Sequence, residues 1–149
     1  MDWVQTVVAT AKRVEGFDIS PDGKEIWAVA AENGSIYIID TASKAVIKTL
    51  NAKAVGANRL RITYDGKLAL ISSVRSGELV IFDVKARREL KRLKVGTGAA
   101  GLLIDVDNTR AFVACTPDNY IAVVDLKTFE VTTHIDVGGK PDGLAWALQ

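Results

Sequence analysis

The sequence is poor in the residues that usually announce chemistry. Of its 149 residues one is cysteine, Cys115, and one is histidine, His134. That excludes an internal disulfide and removes most metal chemistry, because ligand sets need several such side chains. Charge of one sign is also missing. Nineteen Lys plus Arg against eighteen Asp plus Glu leave a formal charge of +1, so neither nucleic acid nor an anionic membrane is expected as a partner. Long apolar runs are absent. Runs such as 111–115 and 121–124 fall far short of the roughly 18 residues a membrane-spanning helix needs. The opening Met1-Asp2-Trp3-Val4-Gln5 places an acid where a secretory signal carries a base, so no signal peptide is read and the compartment stays open. What is present is 48% hydrophobic and 25% charged residues, the composition of a single folded domain.

The chain repeats itself. Phe17-Asp18-Ile19-Ser20-Pro21-Asp22-Gly23-Lys24 returns as Leu60-Arg61-Ile62-Thr63-Tyr64-Asp65-Gly66-Lys67, and more loosely as Leu102-Leu103-Ile104-Asp105-Val106-Asp107-Asn108-Thr109. Asp22, Asp65 and Asp107 stand 43 and 42 residues apart. A second marker, an apolar run ending in Asp40, Asp83 or Asp125, keeps the same spacing. Each unit reads as four short strands, a to d. In the first these are 17–20, 25–30, 35–39 and 45–50, separated by the Pro21-Asp22-Gly23-Lys24 turn, the Asn33-Gly34 hairpin signal and the Asp40-Thr41-Ala42-Ser43 turn. No segment sustains a helical apolar period, so the class is all β.

Four strands repeated side by side every 42 residues predict the antiparallel blades of a β-propeller. The Trp-Asp and Gly-His marks of WD40 blades are missing. The units resemble instead the YVTN type of propeller repeat, widespread in prokaryotes. The shared features are Ser20-Pro21-Asp22-Gly23 after strand a, the strand-c aspartates Asp40, Asp83 and Asp125, and the linker Val137-Gly138-Gly139-Lys140-Pro141. The naming tetrapeptide is replaced by Ile26-Trp27-Ala28-Val29 and its counterparts. The register divides the chain into a strand d and linker at 1–16, blades at 17–59, 60–101 and 102–143, and a first strand a at 144–149. In that reading 3–8 is strand d of a preceding blade. Three blades leave two apolar sheet faces to cover, by a reduced fourth blade, by the rest of a longer propeller, or by another copy of the chain.

Candidate chemistry is sparse. Gly96-Thr97-Gly98-Ala99-Ala100-Gly101 matches a dinucleotide fingerprint, but strand and turn follow it where a helix would be required, so it is read as a linker. His134 has no second ligand at metal spacing, Cys115 lies in an apolar run, and Ser72-Ser73 lack a nucleophile elbow. Catalytic residues, metal and cofactor are accordingly none. The bases Lys85, Arg87, Arg88, Lys91, Arg92 and Lys94 read as a solvated outer edge around strand d. Loops joining d to a and b to c share one mouth of the channel. A protein or small-molecule ligand is expected there, against Lys12, Arg13, Asn58, Arg59, Arg75, Asp118, Asn119, Lys140 and Asp142. Asp18 and Arg61 hold equivalent positions on inner strands, where a bond across the blade interface is expected. These polar residues share no common chemistry, which points to recognition more than catalysis and to a non-catalytic binding or protein-interaction scaffold. The resemblance leaves open part of a lactonase-like enzyme or modified-haem carrier, and a purely structural segment is the third reading.

Overall fold

The computed structural model describes residues 4–147. They form three four-stranded antiparallel sheets. The first is β1 (Val14–Ile19), β2 (Glu25–Ala30), β3 (Ser35–Asp40) and β4 (Ala45–Asn51). The second is β5 (Ala57–Ile62), β6 (Leu68–Ser73), β7 (Glu78–Asp83) and β8 (Arg88–Lys94). The third is β9 (Ala99–Ile104), β10 (Arg110–Cys115), β11 (Tyr120–Asp125) and β12 (Glu130–Asp136). Within each sheet the strands pair in chain order, as the repeat predicts. The aspartates that mark the repeat do so for a physical reason. Asp40 Oδ1 accepts from the Ser43 amide, Asp83 Oδ1 from that of Ala86 and Asp125 Oδ1 from those of Lys127 and Thr128, each closing the turn into strand d. The turn then passes through a left-handed residue, Lys44, Arg87 or Phe129, at φ of 57°, 54° and 56°.

Two boundaries differ from the sequence reading. Each first strand begins three residues earlier, at Val14, Ala57 and Ala99, because register shifts at Val14/Gly16 and Ala57/Arg59 let polar or glycine positions enter the ladder. Neither flank is a strand. Residues 4–13 are without regular structure and mostly exposed, touching the blade where Lys44 Nζ donates to Thr6 Oγ1, and 141–147 also lack ladder bonds. Neither has a strand beside it to pair with. Residues 3, 148 and 149 of the expected flanking strands lie outside the described residues.

Packing between sheets makes the core. Trp27, Val29, Ile36 and Ile38 of the first sheet interleave with Leu60, Ile62, Ala69, Ile71, Val80 and Phe82 of the second. Leu70, Leu79 and Ile81 on the second sheet's other side meet Leu102, Ile104, Val113, Ala122 and Val124 of the third. Polar bonds pin the same joints. The Ile62 amide donates to Asp18 Oδ2 at 2.9 Å, and Ser72 Oγ donates to the Ala100 carbonyl at 2.6 Å. Glu25 accepts from Trp27 Nε1 through one oxygen and pairs with Arg87 through the other, at 2.6 Å. Arg92 pairs with Glu78 and Glu89 and donates to the Ala52 carbonyl. Of the basic cluster, Arg87 thus bridges two sheets and Arg92 ties its sheet to the linker after β4, rather than standing in solvent.

The third a–b turn departs from the other two. Buried Asp105 accepts from the Thr109 and Arg110 amides at 2.9 Å and from Arg110 Nε at 2.9 Å. Burial pushes its carboxyl up, but the Arg110 amide, the guanidinium and the nearby donors outweigh that and hold it below the ordinary value. A lowered native value means that this stabilisation is full above the unfolded-state pKa of about 3.9 and is lost as pH falls through the native one. The urea-midpoint difference between the parent and Asp105→Asn should therefore be full at pH 7 and shrink below about pH 4. Trp27→Ala empties the centre of the first joint and should cost about 4 kcal/mol in the same urea titrations.

Candidate functional site

The linkers and the b–c turns meet at one end of the stacked sheets through a bond that recurs in every repeat. The Ala31 amide donates to the Arg13 carbonyl, Val74 to Gly56 and Thr116 to Gly98. Arg13, Gly56 and Gly98 are therefore equivalent, and all three are left-handed, with φ of 58°, 81° and 61°. Glycine fits such a position without strain, and at 56 it is also required sterically. A Cβ there would lie 2.6 Å from Arg75 Cβ and 2.9 Å from the Arg75 amide nitrogen. The first repeat instead carries an arginine, at a cost of about 1 kcal/mol.

A cleft of about 390 Å³ at the joint of the first two sheets is lined by Arg13 and Arg75 together with Glu15, Asn58 and Val74. Arg13 Nη2 pairs with Glu15 Oε1 at 3.1 Å, and Asn58 Nδ2 donates to Glu15 Oε2 at 3.4 Å. Asn58 Oδ1 is buried without a hydrogen-bond partner. Among the described residues Arg75 makes no ion pair. This cleft offers guanidinium, carboxylate and amide groups but no nucleophile beside a base.

The other expected residues separate. Asn58 and Arg59 lie within β5 rather than in a loop, since that strand starts early. Arg59 and Arg61 line a second cleft of about 500 Å³ along the inner strands with Phe17, Asp18 and Ile19. Asp18 does not pair with Arg61; its two oxygens accept the Ile19 and Ile62 amides. Lys12 is exposed on the linker. Asp142 is also exposed, and its carbonyl passes so close to Gly101 that a side chain there would collide with it.

Asp118 and Asn119 line a third cleft, with Tyr120, His134 and Asp136, that sequence reasoning did not assemble. The signal lay in strand pairing, which sets Tyr120 opposite Asp136 and Ala122 opposite His134. The Tyr120 and His134 rings are 4.3 Å apart. Asp118 Oδ2 accepts the Thr97 amide at 2.6 Å, which holds its carboxyl below the usual value, and Asn119 Oδ1 accepts the Lys140 amide. Tyr120 donates to the Val95 carbonyl, and burial together with the neighbouring Cys115 and Asp118 pushes its hydroxyl up to about 12. Burial likewise raises the Cys115 thiol, the state of an inert core cysteine. Ser72 and Ser73 spend their hydroxyls on the Ala100 and Val55 carbonyls. Among the described residues no three His, Cys, Asp or Glu side chains converge as a metal site, and no helix is long and apolar enough to cross a membrane.

No protein-family model matches the chain, and neither does any curated protein. Solved structures do. Hydrazine synthase of Kuenenia stuttgartiensis superposes with a TM-score of 0.83 at 22% identity, over 95% of this chain and 42% of that one. The WD40 repeats of RRP9 give 0.75 at 15% identity, over 85% and 40%. A Bacteroides fragilis protein provisionally assigned as a 6-phosphogluconolactonase gives 0.75 at 20% identity, again over 85% and 40%. The fold is an arc of a β-propeller. The chain spans about two fifths of the length of these propellers, and at such identities the likeness speaks for the fold alone. The three sheets are its blades, and the Arg13–Arg75 cleft lies on its linker face.

Gly56→Ala should cost the propeller about 2 kcal/mol in thermal or urea unfolding, since it meets both a left-handed φ and the Arg75 backbone. Gly138→Ala, at φ 82° with open space around it, should cost only about 1 kcal/mol.

Proposed function

We propose that the chain is a non-catalytic binding scaffold built from YVTN-type blades, taking a carboxylate-bearing partner between Arg13 and Arg75. The observation that carries this reading is Arg13 itself, a long cationic side chain at the left-handed position that the next two blades give to glycine. Arg75 lines the same cleft from the turn packed against Gly56. Two guanidiniums across a cleft of this size suit a carboxylate, whose oxygens can take paired N–H donors. Glu15 holds Arg13 in place until a ligand carboxylate competes for it. The Ser20-Pro21-Asp22-Gly23 turn and the strand-c aspartates support the blade type.

Citrate is a suitable probe. Calorimetric titration should show binding that weakens with salt, and Arg13→Gly and Arg75→Ala should each reduce it at least fivefold while leaving the fold intact. Citrate binding that is indifferent to both substitutions would sink the assignment of this cleft. Turnover of a lactone substrate by the purified chain would sink the non-catalytic reading.

A further inference from the structure

The repeat allows each blade's rearward face to be compared at fixed register. Phe17, Leu60 and Leu102 are equivalent, as are Ile19, Ile62 and Ile104. Leu60 and Ile62 are 1% and 6% exposed beneath the first blade, and Leu102 and Ile104 are 4% and 3% exposed beneath the second. Phe17 and Ile19 are 65% and 51% exposed. The first blade therefore presents to solvent the same apolar positions that the other two bury.

At the opposite end the forward face of the third blade shows what such a position seeks. Residue 146 continues the register of Ile19, Ile62 and Ile104. Trp146 stands edge-on to Phe112 with ring centroids 5.4 Å apart, and its Nε1 donates to the Ile104 carbonyl at 3.0 Å. The segment 141–147 follows the path of a next inner strand without any ladder bond. It is held at its start by Thr116 Oγ1 donating to the Pro141 carbonyl. The forward face thus accepts a rearward-pointing apolar side chain, and the chain fills that place provisionally with its own Trp146.

We propose that the rearward face of the first blade docks on the forward face of the third blade of a second copy of this chain. Phe17 and Ile19 then displace the partner's loosely held segment and seat in the positions of Leu144 and Trp146. The contact is head to tail and distinct from the Arg13–Arg75 cleft. Such a head-to-tail contact leaves one apolar blade face free at each end of the pair. The joint would repeat the interleaving already present twice inside the chain.

Sedimentation velocity between 10 and 200 µM tests this. The 149-residue chain should reach twice its 16.0 kDa mass with rising concentration. Phe17→Asp combined with Ile19→Lys should remain monomeric with an unchanged far-ultraviolet circular dichroism spectrum, since both side chains are exposed and the fold does not depend on them. Trp146→Ala removes the competing side chain and should strengthen association several-fold. A parent chain that stays monomeric at 200 µM would overturn the proposal. So would assembly unaffected by the double substitution, or weakened by Trp146→Ala.

Discussion

Each blade is a sheet with apolar side chains on both faces, and four strands cannot cover both by themselves. The hydrophobic effect therefore acts between blades more than within them. The ladder fixes each blade's shape, while Trp27 against Ile62 and Phe82, or Leu79 and Ile81 against Ile104 and Val124, fix how blades stand to one another. Burial of this kind is non-directional and would permit sliding. Register is added by polar bonds placed at the joints, such as the Asp18 carboxylate on the Ile62 amide and the Ser72 hydroxyl on the Ala100 carbonyl. The Ser72 bond is buried, so misalignment would leave its partners unpaired.

Electrostatics follow the same division of labour. Asp40 and Asp125 hold turns, and their carboxyls lie below the ordinary range because the Ser43 hydroxyl and amide point at the first and the Thr128 and Lys127 amides at the second. Arg87 and Arg92 act between blades. Arg87 reaches Glu25, whose other oxygen holds the Trp27 indole, so an ion pair at the rim is tied to the largest side chain of the joint. The near-neutral overall charge hides this arrangement, because each local pair cancels.

The strands and their order were legible because apolar runs, Asn-Gly and the repeated aspartates agree at a period of 42–43 residues. The start of each blade was not, since Glu15-Gly16 and Asn58-Arg59 carry no strand pattern and join the ladder only through register shifts. That error put Asn58 and Arg59 in a loop. The basic cluster was read as solvated because nothing local shows that Arg87 lies opposite Glu25, 62 residues away. Of the mouth residues, Arg13, Asn58 and Arg75 share a cleft because linker and b–c turn are bonded in every repeat, a relation the repeat itself contains. Separation of the rest depends on which face of a strand each side chain takes, and bulges reset that alternation.

The left-handed residue after each strand-c aspartate holds a wider meaning. Lys44, Arg87 and Phe129 share one backbone conformation and almost nothing else. The aspartate's bonds to the turn amides fix the geometry, which leaves the side chain at this position without a structural duty. In the second blade that freedom has been used for an inter-blade tie, and in the third for an aromatic that packs beneath the core. The fold thus keeps one address per blade where chemistry can be exchanged while the scaffold stays constant. Copies of a duplicated unit could diverge there first.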